Sequence, residues 1–159
     1  MHPPPDGANP LLYTVLVFLH MLLSMLAVGF NFTYVIWILR GTRDQAMLPF
    51  ALKTVKFIDD YLANPFYLIA GLTGVLMILM GKQIGSFLWV AIAIYVVAML
   101  VAYLIYTPLL GRQIRVLAAE GPDSAAYQQV AQRSSIVGAG MGAAVLVIVA
   151  LKIFEPSFW

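Results

Sequence analysis

The sequence contains no cysteine, and only 10% of its 159 residues are charged. The first absence excludes a disulfide scaffold and a CxxC redox centre. The second excludes a water-soluble domain, in which about a quarter of the residues carry charge. Hydrophobic side chains make up 62% of the chain, more than a soluble core of this length can hold and far more than a disordered chain contains. The net charge is only +2, too little basic surface to grip phosphates, so nucleic acid is not an expected partner. No P-loop, no HExxH and no Ser–His–Asp set occurs inside the apolar segments. The chain is therefore expected not to be an enzyme.

What is present is a set of four runs free of Asp, Glu, Lys and Arg: 11–39, 61–81, 83–111 and 134–151. A helix needs about 20 mostly apolar residues to cross the hydrocarbon layer, where every backbone N–H and C=O must be paired internally. The runs are continuous and do not alternate, which excludes a β-barrel. The expected fold is an all-α, polytopic membrane bundle with spans at about 11–39, 62–81, 86–110 and 134–154, in a single domain over 1–159. The leader 1–10 has no Lys or Arg and no small-residue cleavage site follows the first run, so that run is read as a span and not as a signal peptide. Pro3, Pro4 and Pro5 favour an extended polyproline leader, with Asn9 and Pro10 set to start the first helix.

Orientation follows from the basic residues. Arg40, Arg43, Lys53, Lys56, Arg112, Arg115 and Arg133 lie between spans 1 and 2 or between spans 3 and 4, against only Lys82 and Lys152 on the other side. Seven against two predicts both termini outside and both longer loops in the cytoplasm of a bacterial inner membrane. Trp89, Phe158 and Trp159 are expected as anchors at the outer interface and Trp37 at the inner one.

Within the first long loop, Leu48, Leu52, Val55, Ile58 and Leu62 recur at helical spacing opposite Lys53, Lys56 and Asp60. This predicts a separate amphipathic helix over about 46–61, lying in the membrane interface. Asn64-Pro65 reads as the cap and first turn of the second span. The third helix is expected to run past the membrane to Ala119. Gly121-Pro122 makes the turn, Asp123 or Ser124 caps, and the fourth helix starts at Ala125. Asp59 and Asp60 are placed at the interface, where an exposed ion pair with Lys56 accounts for them and no intramembrane acid is expected.

His20 is the one histidine inside a span. His20, Ser24, Ala27 and Asn31 fall on one helical face, which must point into the bundle because lipid satisfies neither an imidazole nor an amide. Two readings stand: an axial ligand to haem or copper, oriented by Ser24 or another group, or a neutral histidine hydrogen-bonded to a neighbouring helix. Met21 and Met25 lie about 100° from that face on an ideal helix and read as packing, not as copper ligands. His2, beside the amino terminus, is read as solvated. Tyr95 and Tyr103 lie along one side of the third span, where they either line a quinone or porphyrin pocket or anchor and fill space. Gly138 and Gly142 form a GxxxG pair, and Gly71 and Gly74 do the same job in the second span. All four are expected where another helix backbone comes close.

Leu19-His20, the small-residue stretch ending in Gly29, the basic loop, and Asn64-Pro65 followed by Ala70-Gly71-Leu72-Thr73-Gly74 together resemble an uncharacterised bacterial four-helix integral membrane family distantly related to copper-resistance protein D. The resemblance implies a haem or copper role for the first-helix histidine, which here falls on His20. A second intramembrane histidine and a Trp-x-Gly-Gly pattern, found in related families, are missing from this chain. The expected function is a small accessory or assembly subunit of a larger respiratory or photosynthetic complex, in contact with lipid and other transmembrane subunits. The alternative is a haem b- or copper-binding membrane protein using His20.

Overall fold

The computed structural model describes Pro5 and residues 7–158. His2, the leader prolines Pro3 and Pro4, and the anchor Trp159 lie outside the described residues. Within them helix is the one regular structure, with no strand, and it builds four rods long and apolar enough to cross a membrane. These are α1 (Pro10–Arg43), α2 (Leu48–Leu79), α3 (Ser86–Glu120) and α4 (Ala125–Phe154). The Asn9 side chain caps α1 by accepting from the Leu12 N–H at 3.2 Å, and Pro10 fills the first turn where its missing N–H costs nothing. Gly121 takes φ +80 to end α3, and Ser124 caps α4 by accepting from the Tyr127 N–H at 3.1 Å. Asp123 is instead the acceptor for the Gln45 amide.

The second rod corrects two expectations. The amphipathic stretch and the second span are not separate helices, since α2 runs unbroken from Leu48 to Leu79. Asn64-Pro65 caps nothing; it closes a π turn over Asp59–Ala63 inside the rod. The same device recurs in α3, where a π turn over Ala102–Tyr106 is followed by Thr107-Pro108. The cause is common to both. Proline has no N–H to return to the preceding turn, and its ring crowds the carbonyl four residues back, so that turn widens by one residue.

The stripe of Leu48, Leu52 and Val55 is buried against protein. Leu48 and Leu52 pack with Leu117 and Tyr127, and Val55 with Tyr34, Ala63, Tyr106 and Leu110. Gly41 allows the crossing of α1 over α2, because a Cβ there would sit 3.0 Å from the Ala51 Cβ. α1 packs chiefly on α2 and α4 chiefly on α3, giving two antiparallel hairpins. The hairpins are joined where the first half of α2 meets the second half of α3, at the end that carries the 44–47 and 121–124 connections. Towards the termini the packing thins to a small cluster of Tyr13, Leu16 and Met77.

Candidate functional site

Two polar clusters interrupt the apolar interior. The first lies where α1 meets the second half of α2. The face bearing His20, Ala27 and Asn31 points at α2, with Ala27 fully buried. His20 Nδ1 lies 2.8 Å from the Ala70 carbonyl oxygen. A carbonyl only accepts, so Nδ1 carries the hydrogen and Nε2 keeps the free lone pair. The Thr73 hydroxyl donates to the same carbonyl at 2.7 Å and lies 3.3 Å from Nδ1. The Asn31 amide donates to the Tyr67 hydroxyl at 2.8 Å. Ser24 is half-buried on this face but takes no part in the cluster.

Gly71 and Gly74 explain why side chains reach α2's backbone here. In an α-helix the carbonyl of residue i is flanked by residue i+4. Gly74 stands four residues after Ala70 and lies against the imidazole, 3.3 Å from His20 Cε1 to where its Cβ would be. Gly71 stands four after Tyr67, whose carbonyl accepts from the Tyr95 hydroxyl at 3.0 Å. A Cβ on Gly71 would run into that hydroxyl. Each glycine opens one carbonyl to a side chain from a different helix.

Tyr95 is thus a tie between α3 and α2. Tyr103 turns outward, with 43% of its surface exposed. Among the described residues no group of three or more His, Asp or Glu side chains is placed to hold a metal. His20 is the one histidine among the described residues, and its Nε2 is the atom left to face a metal or haem.

The glycines of α4 divide. Gly138 packs on Tyr106, its would-be Cβ 3.2 Å from the ring, whereas Gly142 meets nothing within 4 Å. The expected GxxxG face is therefore split, because Tyr106 reaches only the first of the pair.

The second cluster was missed by sequence reasoning. It joins the two π turns in the middle of the bundle. Asp60 faces outward and forms the expected ion pair with Lys56, at 2.5 Å. Asp59 faces inward and is only 2% exposed. Its Oδ2 accepts from the Thr107 hydroxyl at 2.6 Å and from the Asn64 amide at 3.2 Å, and its Oδ1 accepts from the Tyr34 hydroxyl at 3.4 Å. The Asn64 amide also lies 3.2 Å from Thr107 Oγ1. Asp59, Asn64 and Thr107 all belong to or adjoin the π turns, so the two prolines bring this polar set together. A signal for it was available: Asp59 continues the spacing of Leu48, Leu52 and Val55, the very stripe that packs inward.

Comparison of the chain with protein-family models, with curated proteins and with solved structures finds no match.

Proposed function

We propose that the chain is a non-catalytic, multi-pass subunit of a bacterial inner membrane, with both termini outside, that packs against helices of a larger electron-transfer complex. The observation that carries this reading is the state of α4. Its most apolar window buries none of its residues within the chain, and Gly142 has open space around it. Glycine inside a helix costs about 1 kcal/mol relative to alanine, a cost offset where a second backbone approaches closely. The orientation rests on the seven-to-two division of basic residues.

Extraction of native membranes in mild detergent tests the reading. The chain is expected in a particle well above its own 17.5 kDa, and recovery purely as a monomer overturns it. A reporter inserted near Gly121 should read as cytoplasmic and one fused after Trp159 as external; the opposite labelling reverses the orientation.

One observation favours a second reading, a haem b or copper bound by His20. The Ala70 carbonyl holds Nδ1 and leaves Nε2 as a free donor atom, the arrangement by which ligating imidazoles are oriented. The second ligand would come from another chain. A visible spectrum of the purified complex with a haem band that His20→Ala removes supports this reading, and a spectrum without one, with no copper on metal analysis, ends it.

A further inference from the structure

The buried carboxylate of Asp59 is used by neither reading. Its three neighbours are neutral groups donating hydrogen bonds: Tyr34 from α1, Asn64 from its own rod and Thr107 from α3. Among the described residues no Lys, Arg or His forms an ion pair with it; Lys56, one turn earlier, is taken by Asp60. The charged and titratable groups acting on it are Lys56, Asp60 and Tyr34, together with Tyr103 and Tyr106 on α3. α4 contributes none. A buried ionised carboxylate is expected to be paired with a positive charge or to lose its own. Here the nearby Lys56 is paired with Asp60, and among the described residues no cation forms an ion pair with Asp59 itself.

We infer that Asp59 binds one monovalent positive charge, a proton or an alkali-metal ion, between the two helical hairpins. The surrounding groups suit either form. The Tyr34 and Thr107 hydroxyls donate to a bare carboxylate and, rotated, offer lone pairs to a proton on Asp59 or to an ion beside it. The site also lies at one π turn and beside the end of the other, and such turns recur at functional sites inside helices. Proton uptake converts carboxylate to carboxylic acid and needs no other reactant. An alkali ion is coordinated by the same oxygens without any change of bonding.

Infrared difference spectroscopy of the full chain in liposomes separates the two occupants. In buffer free of alkali ions, a protonated-carboxyl carbonyl band that titrates with pH, shifts in D2O and is lost in Asp59→Asn identifies a proton. At fixed pH, a carboxylate band that moves when Na⁺ or K⁺ replaces N-methylglucamine, and is lost in the same variant, identifies the metal ion. Thr107→Val retains Asp59 and should shift whichever band is seen, giving a second reading should Asp59→Asn fail to fold. Wild-type spectra that respond to neither pH nor alkali ions in any band sensitive to Asp59→Asn or Thr107→Val overturn the inference.

Discussion

The hydroxyl of Tyr95 fills the space where a side chain on Gly71 would begin, and from there it donates to the carbonyl of Tyr67. This fit makes a direct prediction. Gly71→Ala should destabilise the folded chain by about 1–3 kcal/mol, the usual range for overpacking, measured by unfolding in mixed micelles. Adding Tyr95→Phe should recover part of that loss, because the clashing oxygen is gone. Strictly additive effects would show that the two residues do not meet.

His20 is predicted to matter through α2. His20→Ala should cost about 1–2 kcal/mol of helix association, while His2→Ala changes nothing measurable. Gly74→Leu should imitate His20→Ala, since a branched side chain there displaces the imidazole from the Ala70 carbonyl. Unfolding curves for the three variants decide it, and wild-type stability in His20→Ala would refute the bond's role.

Asp59 and Asp60 adjoin in sequence and should behave in opposite ways. Asp60→Ala removes a half-exposed ion pair, worth at most about 1 kcal/mol. Asp59→Ala removes the acceptor of the Tyr34 and Thr107 hydroxyls and one of the two acceptors of the Asn64 amide, and a buried group left unsatisfied costs about 1–3 kcal/mol. Comparable losses in the two variants would contradict the inward and outward placement.

The two glycines of α4 give a fourth test. Gly138→Leu drives a side chain into Tyr106 and should lower the stability of the isolated chain. A Cβ at position 142 meets nothing within 4 Å, so in Gly142→Leu stability should hold while the size of the native particle falls. A Gly142→Leu chain that loses stability on its own would show that the open notch is filled from within.

Much of this architecture was legible because lipid-length apolar runs and cap residues are local signals. Asn9, Pro10, Gly121 and Ser124 mark rod ends through their own backbone chemistry. The join between 46–61 and the second span was not legible. An X-Pro step reads as a helix start, and only packing on both sides keeps the rod continuous through a π turn. Asp59 was hidden by its neighbours. Adjacent Asp60 and nearby Lys56 make an ion pair that accounts for the whole acidic step, although position 59 lies on the buried stripe and position 60 does not. The inward face of His20 was legible from its spacing with Ala27 and Asn31; its partner, a backbone carbonyl uncovered by Gly74, leaves no pattern in a sequence.

The uneven joining of the hairpins has a mechanical consequence. From Thr107 back to Ser86, α3 extends roughly 30 Å at 1.5 Å per residue, and along that length Tyr95 is its hydrogen-bonded tie to the other hairpin among the described residues. The proline-bearing middle is where the two hairpins are joined, and the terminal halves reach beyond that join. A tilt of a few degrees there becomes a displacement of a few ångströms at the tips, on the scale by which bilayers differ in thickness. A load on the free end of α3 would therefore reach the Tyr95 tie before it reached Thr107 and its hold on Asp59.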